Sequence, residues 1–266
     1  MTLLTIQQQF KALAIIPKPG SVLSFLGSLY IFVHVLRDHE RRAKTQLRVL
    51  MGLSACDLLN SIASFVSTWP IPADKAGPVY GAVGNDTTCK IHGFFMQFSV
   101  SSAMYNGALA LCYLLTVKYG WKDHDFRRVE PFMHGFPIIF GLATATTGFV
   151  LNAYNNAVLW CWYAAPFENY QAYRWAFYYG PLWTAIIFTL YVMASIVHKV
   201  YQLEKANRRY RQAGQVEEDF TMTKTVAAQG LFYCTVFVIT WVFSTVRFLV
   251  FDNLHAAFCM ILYAIW

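Results

Sequence analysis

Between Lys90 and Lys118 the chain runs for 27 residues without an aspartate, glutamate, lysine or arginine. Wound as an α-helix at 1.5 Å per residue, that stretch is about 40 Å long, more than the ~30 Å hydrocarbon core of a bilayer. It is not a plain lipid anchor. Ser99, Ser101, Ser102, Asn106, Gly107 and Thr116 run along it, and small or hydroxyl residues mark helix faces that pack on other helices. Cys89–Trp121 is therefore expected to cross a membrane at the centre of a helix bundle, with a cysteine at one mouth and Lys118-Tyr119-Gly120-Trp121 at the other.

Composition extends this reading to the whole chain. Only 13% of residues are charged, about half the share of a soluble domain, and 57% are hydrophobic. The mean hydropathy is +0.39. One buried core cannot absorb so much apolar length, but several spans can. The pattern predicts an all-α, multi-pass bundle of seven helices in one domain, 17–266. Its spans lie at about 19–37, 48–70, 89–119, 131–153, 173–203, 222–251 and 254–266, behind a short outer segment, 1–16. The last span is only 13 residues, about 20 Å of helix, so the seventh helix is expected to continue past Trp266.

Loop charges orient the bundle. The loops between spans one and two, three and four, and five and six hold, with their helix ends, 15 of the 21 Lys and Arg residues; the other side holds six. The positive-inside rule then puts the N-terminus outside. The Asn85-Asp86-Thr87 sequon falls on that outer side, where Asn85 is an expected glycosylation site. Two of the six cysteines, Cys89 and Cys161, fall there too. No CxxC pair or Cys/His cluster marks a zinc site. The net charge of +7 sits in short loops between apolar runs, which speaks for a lipid bilayer as partner and against nucleic acid.

Seven spans, an outer N-terminus and this loop pattern resemble a G-protein-coupled receptor. Trp160-Cys161-Trp162 in the second outer loop, opposite Cys89, is similar to the pattern of family 2 (secretin-like) receptors and of slime-mould-type cyclic-AMP receptors. Phe237-Val238-Ile239-Thr240-Trp241, followed by Thr245-Val246-Arg247, is similar to the sixth helix of the cyclic-AMP-receptor-like group. Lys118-Tyr119-Gly120 stands where the rhodopsin-like family has an acidic-Arg-aromatic triplet, no proline lies between 222 and 266, and a large hormone-binding N-terminal domain is missing. Those departures favour the cyclic-AMP-receptor-like branch. The resemblance implies a receptor in the plasma membrane, with a small extracellular ligand and a heterotrimeric G protein as partners and no cofactor. Cys89 and Cys161 are expected to form a disulfide, since the other four cysteines lie within spans.

Candidate site residues fall into three groups. Lys90, Trp162, Arg174 and Arg247 lie near the outer helix ends and could line a ligand cavity, with the cations meeting an anionic ligand group. For Arg247 an alternative is snorkelling to headgroups or pairing with Asp252. Asp57, Asn60, Asn106 and Trp241 lie inside spans and are candidates for an intramembrane switch. An ionised Asp57 in hydrocarbon costs several kcal/mol. It must be paired, hydrated or protonated: a sodium ion could sit there, as in the similar L-x-x-x-D of rhodopsin-like receptors, or it is a packing residue that reaches Asn60, Ser61 or Asn106, as a neutral acid. Lys118, Tyr119, Lys199, Arg208, Arg209, Arg211 and Lys224 ring the inner ends of helices three, five and six, where a G protein would enter, although topology and anionic lipid attraction also account for such cations. His92 and His134 are not spaced for a metal.

Two other classes of function lack their marks in this sequence. A transporter or light-driven pump would need repeats, broken helix pairs or several buried charges, and Asp57 stands almost alone. An enzyme would need a motif such as HExxH or Gly-x-Ser-x-Gly, and neither is present.

Overall fold

A computed structural model describes residues 6–210 and 218–251. The chain enters through α1 (Ile6–Ile15) and turns directly into α2 (Pro17–Arg37), whose first turn holds Pro17 and Pro19. Proline is at home there, because the first-turn amides have no helical acceptor. The short outer segment ahead of the first span is thus helical from Ile6. A one-turn helix, α3 (His39–Ala43), is capped by Asp38, whose carboxylate accepts from the backbone N–H of Glu40 and Arg41. Then α4 (Thr45–Val66) returns across the bilayer and stops at Ser67, a non-glycine at φ 52°.

The central charge-free stretch is two helices rather than one, α5 (Asp86–Phe98) and α6 (Val100–Tyr119), joined at Ser99. The reason is local: the Ser99 hydroxyl donates to the carbonyl of Met96 at 2.7 Å and competes with the helical ladder. The chain carries on through both in one direction, so Asp86–Tyr119 remains a single apolar crossing. Gly120 at φ +68° closes α6 in the left-handed conformation.

Next come α7 (Glu130–Val150) and a hairpin of two short strands, β1 (Tyr154–Asn156) and β2 (Cys161–Tyr163), paired antiparallel with Asn155 opposite Trp162. After α8 (Tyr170–Arg174) comes one π-helical turn, Trp175–Tyr179, which leads into α9 (Gly180–Tyr210). The wide turn brings the carbonyl of Trp175 to 2.8 Å from where a Cβ of residue 180 would stand, which only glycine allows. Pro181 follows and returns no N–H to the preceding turn. A proline inside a helix disturbs the turn before it, and here that irregularity takes the form of the π turn. The last described helix is α10 (Glu218–Phe251).

Among the described residues, five helical stretches are long and apolar enough to cross a membrane: Phe10–Arg37, Thr45–Val66, Asp86–Tyr119, Asp125–Val150 and Tyr170–Leu203; α10 adds the apolar segment Ala227–Val242. This is an all-α membrane bundle with one small hairpin on its outer side. α6 sits at its centre, packed on α4, α7, α9 and α10, while α2 lies against α4. The core follows α6, with Tyr105, Leu109, Ala110, Cys112 and Tyr113 all buried. The expected seventh span, Leu254–Trp266, lies outside the described residues.

Candidate functional site

Cys89 in α5 and Cys161 in β2 form a disulfide with their Cα atoms 5.3 Å apart. This link presses the hairpin onto the outer end of α5. His92, one turn further in, adds a second tie: its Nε2 bonds the carbonyl of Ala63 at 2.9 Å, and its Nδ1 accepts the Cys161 N–H at 3.3 Å. The imidazole proton therefore sits on Nε2.

Gln97 makes the third and deepest tie. Its side chain is fully buried. Oε1 accepts from the indole N–H of Trp162 at 2.8 Å, while Nε2 donates to the carbonyl of Phe177 at 3.0 Å and to the Thr144 hydroxyl at 3.3 Å. Phe177 is four residues before Pro181, the position whose missing N–H would have bonded it in a regular helix. One amide thus joins the outer hairpin, α7 and the π turn ahead of α9.

Around it the aromatic rings form a continuous path. Trp162 meets Tyr178 edge-on at 5.2 Å, and Tyr178 meets Trp241 of α10 at 6.1 Å. Tyr154 and Tyr163 send their hydroxyls into the outer end of α7, donating to the carbonyls of Ala145 and Thr144 at 2.8 and 3.0 Å. Burial pushes the Tyr163 hydroxyl up to about 12 and that of Tyr154 up as well, so both stay protonated as donors. The Arg174 guanidinium lies over the rings of Trp162 and Tyr170 at 4.9 and 5.0 Å, and its Nε donates to the carbonyl of Tyr163 at 2.6 Å.

Of the ligand-cavity candidates, Trp162 and Arg174 are therefore brought together, as part of the packed outer wall. Lys90 is half-buried on α5. Arg247 falls in α10 at a position where only the backbone is described. Neither Lys90, Trp162 nor Arg174 lines the two cavities described in this molecule.

The four switch candidates share one of those cavities. A space of about 330 Å³ between α2, α4, α6 and α10 is lined by Asp57, Asn60, Asn106 and Trp241, with serines from α2 and α4. Ser102 lines the same space as Asp57, but no hydrogen bond joins the two, and the buried Ser102 hydroxyl has no hydrogen-bond partner. Asn106 instead donates to the carbonyl of Ser102 at 2.9 Å, and the Ser61 hydroxyl donates to that of Ser24 at 2.9 Å. No group of three or more His, Cys, Asp or Glu side chains placed to hold a metal ion occurs among the described residues.

At the inner face Lys118 ends α6 with its ammonium 5.5 Å from the ring of Tyr119, which is exposed. Lys199 is half-buried on α9 and Lys224 is exposed on α10. Arg208 and Arg209 fall at the end of α9, where only the backbone is described, and Arg211 lies outside the described residues.

One cluster at this level carries no mark in the sequence beyond its charges. Arg48 makes a two-pronged ion pair with Glu130, Nη2 to Oε2 being 2.7 Å, and also donates to Thr45 and to the carbonyls of Arg42 and Ala43. Asp123 caps the start of α4 by accepting the Thr45 N–H at 2.8 Å. These contacts clamp the first and second inner loops together. Asn85, the sequon residue, is exposed and caps α5: its Oδ1 accepts the Thr88 N–H at 2.9 Å, and the Thr88 hydroxyl accepts the Asn85 N–H at 2.8 Å.

The described residues thus form an all-α membrane bundle whose outer hairpin is bonded to the central helix above a buried polar cavity. The chain belongs to the slime mold cyclic AMP receptor family, whose model matches residues 8–265. A comparison with curated proteins finds no match.

Proposed function

We propose that this chain is a plasma-membrane receptor that binds a small ligand from outside and engages a heterotrimeric G protein inside. The observation that carries the reading is the family match over residues 8–265. Cyclic AMP, the ligand in the family's name, is the first to test. Its phosphate calls for a cation, and Lys90, Arg174 and Arg247 are the candidates at the outer level. The geometry supports a route inward: Trp162 touches Tyr178, which touches Trp241, and Trp241 lines the same cavity as Asp57, Asn60 and Asn106. A ligand that favours one placement of the outer wall would bias α9 and α10 along this path. Sodium at Asp57, with the Ser102 hydroxyl as a neighbouring donor oxygen, would bias the same equilibrium. Residues 1–16 are the outer segment and 17–266 the receptor domain in this reading. The G protein meets Lys118, Tyr119, Lys199, Lys224 and the arginines 208, 209 and 211.

The test is expression of the full chain with a G-protein dissociation sensor, titrated with cyclic AMP and other nucleotides at two sodium concentrations. Nucleotide-dependent dissociation is expected, with altered efficacy or sodium dependence in Asp57→Asn at equal surface expression. A nucleotide-dependent current without G-protein dissociation would replace the receptor reading with transport.

A further inference from the structure

The second cavity lies away from the aromatic path, on the outside of the bundle. Between α4 and α5 runs a groove of about 610 Å³, walled by Leu59, Ile62, Val66 and Trp69 on one side and by Ile91 and Phe95 on the other. Leu59, Ile62 and Val66 recur at helical spacing, so they share one stripe of α4, and Ile91 and Phe95 do the same on α5. The volume is that of a small-molecule site. Leu59, Ile62, Trp69, Ile91 and Phe95 are all among the exposed large hydrophobics, so the groove opens sideways, where the bilayer lies. The polar groups at its back are engaged: His92 holds Ala63 and Cys161, and the Thr88 hydroxyl donates to the carbonyl of Pro70 at 3.0 Å. An occupant of the groove itself must be hydrocarbon.

Trp69 belongs to a second feature as well. The ammonium of Lys18 stands 3.5 Å from the centre of its ring and 5.2 Å from that of Phe65. That nitrogen is covered and has no hydrogen-bond partner. Among the described residues it is the one ionised group so placed; the others are the hydroxyls of Ser102 and Thr189. An aromatic face attracts the charge but cannot satisfy three N–H donors, and a buried cation without an anion is costly. Lys18 lies in the first turn of α2, and Trp69 lies in the turn after α4, both at the outer membrane boundary, where phospholipid phosphates sit.

We infer that the groove holds an acyl chain of an outer-leaflet glycerophospholipid whose phosphate pairs with Lys18. Trp69 belongs to both parts, since it lines the groove and its ring carries the cation. A sterol fits the apolar walls but brings no anion to Lys18. The charge selects the phospholipid.

The experiment uses the full chain, purified and stripped of lipid in mild detergent, with bound lipid counted by native mass spectrometry. The probes are palmitoyl-oleoyl phosphatidylcholine, the diacylglycerol with the same chains, and cholesterol. The intact chain is expected to bind phosphatidylcholine at least tenfold more tightly than diacylglycerol, the worth of one charge-assisted hydrogen bond. Lys18→Met is expected to lose that preference while binding diacylglycerol as the original does. Ile91→Trp, which fills the groove from an exposed position, is expected to lose both lipids. Equal binding of phosphatidylcholine and diacylglycerol by the unsubstituted chain overturns the inference without recourse to any variant. Preference for cholesterol, or no retained lipid, overturns it too.

Discussion

Gln97→Leu tests the polar centre of the outer half of the bundle, because leucine keeps most of the volume and removes both ends of the amide. The substitution strands the indole N–H of Trp162 and takes from the carbonyl of Phe177 the donor that Pro181 cannot provide. A buried polar group left without a partner costs about 1–3 kcal/mol in soluble proteins, while hydrogen bonds between membrane helices average about 0.6 and reach about 1.7 kcal/mol. Two such losses near the middle of those ranges come to about 2 kcal/mol. For a chain of this size that lowers the melting temperature by about 4–8 °C. The sharper measurement is a cycle of Gln97→Leu, Trp162→Phe and the pair, followed by thermal unfolding in detergent with the disulfide intact. Trp162→Phe removes the same hydrogen bond from its other end, so the pair is expected to be less harmful than the sum by about 1 kcal/mol. Additive effects, within about 0.3 kcal/mol, would show that the two side chains do not depend on each other and would refute the bridging role.

Three further outcomes follow from the same geometry. Gly148→Ala places a methyl group against the rings and hydroxyls of Tyr154 and Tyr163, within 2.6 Å of the Tyr163 oxygen, and is expected to cost about 1–3 kcal/mol in a thermal unfolding assay; an unchanged melting temperature would mean the hairpin does not rest on α7 as described. The Asp38 carboxyl is held below the usual range, first by the backbone N–H of Arg41 and then by its side chain. Its cap is therefore strongest above about pH 4 and weakens as pH falls through the lowered value, so the protection factors of the Glu40 and Arg41 amides, taken against their intrinsic exchange rates, should fall in acid, but not in Asp38→Asn, whose amide does not titrate. If Asn85 carries a glycan, Thr87→Ala should abolish the mobility shift and leave melting unchanged, because the cap uses Thr88 and not Thr87; a persisting shift removes Asn85 as the acceptor.

Much of the fold was legible in apolar length and loop charge. The 27-residue uncharged run had to cross a membrane whatever its neighbours did, and the pairing of Cys89 with Cys161 followed from which cysteines lay outside the spans. The hairpin was not legible, since strands of three residues carry too few alternations to show a period of two. The break at Ser99 depends on one hydroxyl turning back on its own helix, which spacing alone does not reveal. Gln97 was overlooked although a signal existed: an amide within an apolar span needs partners, and Pro181 frees a carbonyl that needs a donor. Asp57 is legible as a carboxyl that an apolar span must accommodate, whereas its place beside Ser102 depends on how α4 meets α6. Lys18 and Arg48 were counted only as charges of orientation. Their roles lie in what faces them across the bundle.

The three ties between the hairpin and α5 have a mechanical consequence. Cys89, His92 and Gln97 lie within eight residue steps, about 12 Å along the helix axis, and all three hold just two adjacent hairpin residues, Cys161 and Trp162. A plank nailed at one point can swing, but one nailed at three points along a beam cannot. The hairpin is therefore a splint on α5: it has no hinge against that helix, and any push on it from outside is delivered as a tilt or a piston stroke of α5 itself. The break in the helix lies elsewhere, at Ser99 just below the last fastening, where α5 hands over to α6.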